Sequence, residues 1–343
     1  MRSDPSRHRA PSMLSRRGFI QAATAASIAP ATLAQSAGIR LQKLHCCEIR
    51  VADVGRSTEF YQELFGMRVQ ARTGDSLSLA VGDGPQYLGI RPLLGDESPA
   101  IAHIGYSVED YDPERLLDGL ADAGFQRISA PPRITPGSEH VMQAWLQTDR
   151  GEPEVFFADP QGLIVQLVDP AHCGSGGCLP RNAAPQGLLN LSELNHFTVF
   201  LGDGTAANDF YAELFGLSVQ SYQGPQSPVL GVGDGYQFVM YAGFGRGQTP
   251  ANIHHGCFNM HDFDVDQVLE TLTDFGLTDR GNGGTVPLVH YISLRMPERG
   301  GAEGGTPELY FTDPDGILMQ LQDVSYCGGG GYLGSQCLTA DLG

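Results

Sequence analysis

Lysine is almost absent from this chain: Lys43 is the only one among 343 residues. It stands just ahead of an apolar run and has no neighbour in the sequence that would lower its pKa, so Schiff-base chemistry through a lysine amine is excluded. Positive charge is scarce throughout, with 21 Lys and Arg against 39 Asp and Glu and a formal net charge of −18. A surface of that sign repels phosphate backbones and anionic lipid, so no nucleic acid is expected as a partner. Long apolar runs are lacking too. The weakly apolar stretch ending at Ile28 is shorter than the ~20 residues a spanning helix needs, and no integral membrane segment is expected in the mature chain.

That stretch belongs to a leader. Ser15-Arg16-Arg17-Gly18-Phe19-Ile20 resembles the twin-arginine export signal, and small residues suited to a peptidase lie between Ala29 and Ala37. Residues 1–37 therefore read as a twin-arginine signal peptide, and the protein as periplasmic or otherwise exported by that route. The route carries folded proteins, which suits a chain that takes up a metal before it leaves. Removing residues 1–34 takes away five Arg and one Asp and leaves 16 basic and 38 acidic residues, a net charge of −22.

What is present is a repeat. Ser57–Gln70 (STEFYQELFGMRVQ) returns as Ala207–Gln220 (ANDFYAELFGLSVQ), and Phe157–Gly162 (FADPQG) returns as Phe311–Gly316 (FTDPDG). Two motifs repeated in one order indicate a duplicated fold. Each half divides again. In the first, the expectations are a strand at Leu44–Val51, a helix at Arg56–Phe65 closed by Gly66, and a turn at Gly82-Asp83-Gly84. A second strand and helix follow at Ile101–Val108 and Asp112–Ala123, with Asp112 as cap and Pro113 at the first helical position. The second half repeats this from the strand Asn195–Leu201 and helix Thr205–Phe215 to the strand Ile253–Met260 and helix Asp264–Phe275. The fold class is α+β: four βαβββ modules in two pairs, at 41–170 and 191–326. Residues 171–190, rich in Gly, Pro and Ala, read as a linker, and 327–343 as a Cys- and Gly-rich tail.

These motifs resemble the vicinal oxygen chelate superfamily, which includes glyoxalase I, bleomycin and fosfomycin resistance proteins and extradiol dioxygenases. The marks are the FYxELFG helix in both halves and the aromatic-x-Asp-Pro-x-Gly turn before each last strand. Four modules look most like the two-domain dioxygenases, whose C-terminal pair holds iron or manganese. The resemblance implies ligands on the first strand of each module and on the last strand of the pair, which are His196, His255 and Gln320 in the second half and Cys46, His103 and Gln166 in the first. Two histidines and an oxygen donor suit a divalent ion of Fe, Mn, Cu or Zn. Cys46 stands where a histidine is expected, so the first set reads as vestigial. Gln320 stands where the family has Glu and leaves the charge of an ion uncompensated. Three choices remain: a metal held by His, His and Gln; a substitute donor such as Glu303, Asp323 or Cys257; or no metal.

The resemblance also implies a hydrophobic-Tyr pair ten residues before the last ligand, met by Leu309-Tyr310, with Phe156 in the first half. Its further histidine is missing from the Gly-rich stretch Arg299–Thr306, and His290, matched by His140, is the substitute for acid–base work beside Tyr310. Among the cysteines, local bonds Cys173–Cys178 and Cys327–Cys337 are expected in an oxidising compartment, with crossed pairing or metal ligation as alternatives. Cys46 and Cys47 are adjacent on a strand and point to opposite faces. Cys257, two residues after His255, shares its face. The function expected is an exported metalloenzyme acting on a small molecule with vicinal oxygens, an extradiol-type dioxygenase. The alternatives are a glyoxalase-type isomerase or lyase and a non-catalytic binding protein.

Overall fold

A computed structural model describes residues 38–134, 141–148, 151–224, 227–243 and 251–329. The leader, His140 and Cys337 lie outside them.

Each half opens with an apolar strand, β1 (Leu41–Val51) or β10 (Leu194–Leu201), followed by helix α1 (Val54–Phe65) or α3 (Gly204–Phe215). Three strands complete the module: β2 (Val69–Thr73), β3 (Ser76–Ala80) and β4 (Tyr87–Pro92), or β11 (Val219–Tyr222), β12 (Pro228–Gly231) and β13 (Phe238–Gly243). The second module of each half runs from β5 (Ala100–Val108) through α2 (Pro113–Asp122) to β9 (Ile164–Val168), or from β14 (Asn252–Met260) through α4 (Val265–Phe275) to β18 (Leu318–Asp323). Between them lie β6 (Gln126–Ile128), β7 (Gln143–Gln147) and β8 (Glu154–Ala158), or β15 (Thr278–Asp279), β16 (Val289–Arg295) and β17 (Thr306–Thr312).

The helices begin and end for local reasons. Asp53, Asp112, Asp203 and Asp264 cap the four N-termini by accepting backbone N–H groups, and Pro113 takes an early position where its missing donor costs nothing. Gly66 closes α1 at φ 65°, a conformation that glycine adopts freely.

The strands form two nine-stranded sheets, ordered β2-β3-β4-β1-β5-β9-β8-β7-β6 and β11-β12-β13-β10-β14-β18-β17-β16-β15. The first strands of two modules thus meet antiparallel at the centre of each sheet. One sheet face in each half curves into a cup. The other carries the helices and joins a core that runs through both halves.

The repeated motifs lock the halves to each other. Tyr61 of the first FYxELFG helix donates to Asp313 of the second Asp-Pro turn at 3.4 Å, and Tyr211 donates to Asp159 of the first at 3.0 Å. Phe60 and Phe65 pack against Phe311, while Phe215 packs against Phe157. Gln237 receives the Leu44 N–H at 2.9 Å, and Gln86 receives that of Leu194 at 3.1 Å. The segment expected as a linker is packed as well. Leu189 and Leu191 are buried, and the N–H groups of Leu188 and Leu189 both donate to Leu64 O at 2.9 Å, so its apolar residues hold it against the end of α1.

Candidate functional site

The period-two alternation of strands decides which side chains face the C-terminal cup. On β10, Phe197, Val199 and Leu201 enter the core, while His196, Thr198 and Phe200 line a cleft of about 760 Å³. On β18, Met319 and Leu321 are core and Gln320 faces the cleft; on β17, Leu309 and Phe311 are core while Glu308 and Tyr310 face it. His255 arrives from β14, where a bulge opposite Thr198 and Val199 turns both His254 and His255 toward the cleft.

The structure brings His196, His255 and Gln320 together. The two Nε2 atoms lie 3.2 Å apart. His196 Nδ1 donates to Asn195 Oδ1 at 2.7 Å, and the Asn195 amide is oriented by its own donation to Tyr326 O at 2.8 Å. His255 Nδ1 meets His254 Nδ1 at 2.8 Å. Burial pushes His196 down to about 3, with the Arg295 charge acting the same way, and it pushes His254 down to about 4. His255 falls well below the ordinary range for the same first cause, with neighbouring His196 adding to it. At neutral pH all three imidazoles are uncharged and carry a lone pair. Gln320 is fully buried beside both rings, close enough to favour their protonated forms, yet neither atom of its amide makes a hydrogen bond of ordinary geometry. Leaving such a group unsatisfied costs roughly 1–3 kcal/mol, which a ligand at this point would recover.

These features fit a divalent ion. Two imidazole nitrogens at ~2.0–2.1 Å from one ion stand roughly 2.9–3.4 Å apart for angles between octahedral and tetrahedral, and the observed Nε2 separation falls inside that interval. The amide oxygen of Gln320 is the third donor. Among the described residues no group of three His, Cys, Asp or Glu side chains could hold a metal, so the ligand set, if it is one, depends on the glutamine. The substitutes do not serve. Glu303 is exposed, Asp323 binds the Ser325 N–H at 2.8 Å, and neither lines the cleft. Cys257 lies between His196 and Gln320 in the strand register, but it does not line the cleft and its thiol donates to Phe258 O at 3.6 Å.

Tyr310 lines the cleft, its ring edge-on to His255 at 5.2 Å and its hydroxyl 3.4 Å from Glu308 Oε2. His290 does not join it. Neighbours on a strand face opposite ways, so Tyr291 stacks on Tyr310 at 4.9 Å while His290 turns to the helix side and meets Thr273 of α4 at 3.0 Å. Its place as the acid–base partner of Tyr310 is therefore corrected. The residues that do stand there were missed: Glu308, paired with buried Arg295 and receiving the Tyr326 hydroxyl at 2.6 Å. The available signal was parity, since Glu308 lies two residues before Tyr310, and Glu154 occupies the same place before Phe156.

The first half's set is closed on itself. Cys46 Sγ donates to Gln166 Oε1 at 3.1 Å, His103 Nε2 lies 3.2 Å from that oxygen, and the residual cavity is about 20 Å³. Ser175, in the loop bridged by the Cys173–Cys178 disulfide, donates to Glu154 at 2.9 Å at its rim. Cys46 and Cys47 are both free thiols. Cys327 is buried after the last strand, and the description stops short of Cys337.

Comparison with known proteins places this geometry. Residues 43–167 match the family described as the Glyoxalase/Bleomycin resistance protein/Dioxygenase superfamily. A 138-residue stretch, 39% of this chain, is 25% identical to glutathione transferase FosA of Serratia marcescens, covering 83% of that protein. Among solved structures, the homoprotocatechuate 2,3-dioxygenase of Brevibacterium fuscum in complex with 3,4-dihydroxyphenylacetate superposes with a TM-score of 0.59 at 17% identity, over 83% of this chain and 82% of that one. The enzyme of the same name from Arthrobacter globiformis gives 0.57 at 18% identity, over 82% and 80%. The 2,3-dioxygenase LapB of Pseudomonas sp. KL28 gives 0.59 at 14%, over 83% and 93%. At these identities the likeness is one of fold.

Proposed function

From a chain that belongs to the Glyoxalase/Bleomycin resistance protein/Dioxygenase superfamily through residues 43–167, and whose two halves share that fold, we propose an enzyme that binds a small molecule with vicinal oxygens over a divalent ion held by His196, His255 and Gln320, and that opens an aromatic diol as an extradiol-type dioxygenase. The observation that carries this is the convergence of two uncharged imidazole nitrogens 3.2 Å apart on a buried amide that makes no hydrogen bond of ordinary geometry. When bound, the ion supplies a Lewis acid for two adjacent oxygens. The chain does the rest. Burial raises Tyr310 well above the ordinary phenol range, so its hydroxyl keeps its proton and can donate to a substrate oxygen. Without substrate the hydroxyl donates to Glu308 Oε2 at 3.4 Å; a substrate oxygen would replace that acceptor, while Arg295 holds the carboxylate in place.

The neutral amide ligand supports a second reading. A site without a carboxylate holds its ion less tightly and raises its redox potential, which suits an isomerase or lyase that stabilises an enolate without oxygen. Oxygen consumption by protein loaded with Fe or Mn separates the two: the dioxygenase reading expects uptake with catechols and none with resorcinols, whose hydroxyls are not adjacent. No uptake with any catechol would contradict it.

Export by the twin-arginine route remains part of the proposal, supported by the Cys173–Cys178 disulfide, which suits an oxidising compartment. Arg16→Lys with Arg17→Lys is expected to trap the precursor in the cytoplasm. Undiminished exported protein would remove that part.

A further inference from the structure

His254 is the residue that the β14 bulge inserts. Thr198 pairs with His255 and Val199 with Ile253, which leaves His254 opposite neither. The first half has the same bulge, between the pairs Glu48 with His103 and Ile49 with Ile101, and the inserted residue there is Ala102. The bulge is thus common to both halves, and the imidazole is particular to the open cleft. Its ring stacks on Phe200 with centroids 4.2 Å apart, and its Nδ1 lies 2.8 Å from His255 Nδ1.

Two ring nitrogens at that distance share one proton, and the neighbouring contacts determine who carries it. His196 has its proton on Nδ1, because Asn195 donates through Nδ2 to Tyr326 O and offers Oδ1 as acceptor. His196 Nε2 is therefore bare, and His255 Nε2 faces it at 3.2 Å. An ion in the cup needs both Nε2 lone pairs, so the His255 proton must then sit on Nδ1.

We propose that His254 is the positioning residue of His255, accepting its Nδ1–H and so holding the ring with Nε2 turned to the cup when an ion is held. His255 then carries its proton on Nδ1 and His254 on Nε2, so both rings stay uncharged. A side chain that cannot accept would leave His255 Nδ1–H unpartnered in the loaded state, and loss of such a supporting contact typically weakens metal binding about 10–100-fold. This inference rests on the metal reading of the cup.

The test is chelator competition with zinc and manganese at fixed pH on wild type, His254→Phe and His254→Asn, together with 15N assignment of imidazole tautomers in metal-free and zinc-loaded wild type. Phenylalanine keeps a ring against Phe200 but accepts nothing, and about 10–100-fold weaker binding is expected. Asparagine, whose Oδ1 can accept from His255, restores the wild-type affinity. In the zinc-loaded protein His255 is expected to carry its proton on Nδ1 and His254 on Nε2. Wild-type affinity in His254→Phe, or a His254 that keeps its proton on Nδ1 in the zinc-loaded protein, overturns the inference while the metal reading stands. A wild type that takes up neither ion overturns both.

Discussion

At Gln320 a carboxamide stands where the resemblance read from the sequence leads one to expect a carboxylate, and its neighbours show what that does. No compensating acid takes its place against the histidines: Glu308, the buried carboxylate of the cleft, is engaged by Arg295 and Tyr326. Gln320→Ala is accordingly expected to lower divalent metal affinity by about 10–100-fold, and Gln320→Glu to tighten it, because the added charge offsets that of the ion; equilibrium dialysis with both variants checks the order. Indifference of binding to position 320 would contradict the assignment of its amide as a ligand. At this scale the sequence was informative where a motif spacing pinned a residue to a strand, as for His196, His255 and Gln320. It misled at His290, where the residue type was right but strand parity turned it away. It was silent on Asn195, His254 and Glu308, because their meaning depends on cross-strand neighbours and on a bulge that no local pattern announces.

Among the elements, the repeated helix and turn explain each other. Each FYxELFG tyrosine reaches the Asp-Pro turn of the opposite half, so the two most visible motifs in the chain are two sides of one joint used twice. Their repetition was legible in the sequence, but their reciprocity was not, since it joins residues 252 positions apart. Burial raises Asp313 in this joint to about 6 from an ordinary 3.8, with backbone donors and Tyr61 only partly offsetting it. A carboxyl raised in the folded state binds its proton more tightly there than in the unfolded chain, so its contribution is present below about pH 4 and lost as pH rises through about 6. Asp313→Asn keeps an acceptor for the backbone donors and removes the titration; relative to wild type it is expected to gain stability between pH 4 and pH 7, on the order of 2–3 kcal/mol, measured by denaturant unfolding. A difference between the two proteins that does not change with pH would contradict this. Gly82 tests a different contact, that of the first hairpin with the connecting segment at Leu191 and Ser192. Its φ is +57°, and a Cβ there would lie 2.1 Å from Ser192 O. Gly82→Ala should therefore destabilise by about 1–3 kcal/mol, well beyond Gly74→Ala, where φ is similarly positive at +53° but the space is open.

Over the whole molecule, one architecture has been used twice with different outcomes. The described halves share strand order, helix caps and cross-half contacts, yet one cup is a cleft of about 760 Å³ and the other holds about 20 Å³, filled by its own hydrogen bonds. The halves differ at equivalent places: Cys46 stands where the second half has His196 and donates to Gln166, and the loop bridged by Cys173–Cys178 closes on the first cup through Ser175 and Glu154. The duplication was legible in the sequence, as was the departure of Cys46 from a ligand set, whereas the closing of the first cup and the packing of the connecting segment were not, because its Gly and Pro content conceals the leucines that anchor it. The account stands on an ion in the C-terminal cup alone. The most direct measurement is the metal content per chain of protein purified from its native export route, for wild type, for His196→Ala with His255→Ala, and for His103→Ala. One divalent ion per chain is predicted in wild type and in His103→Ala, with none in the double variant; wild type without metal, or a double variant that keeps it, would contradict the account.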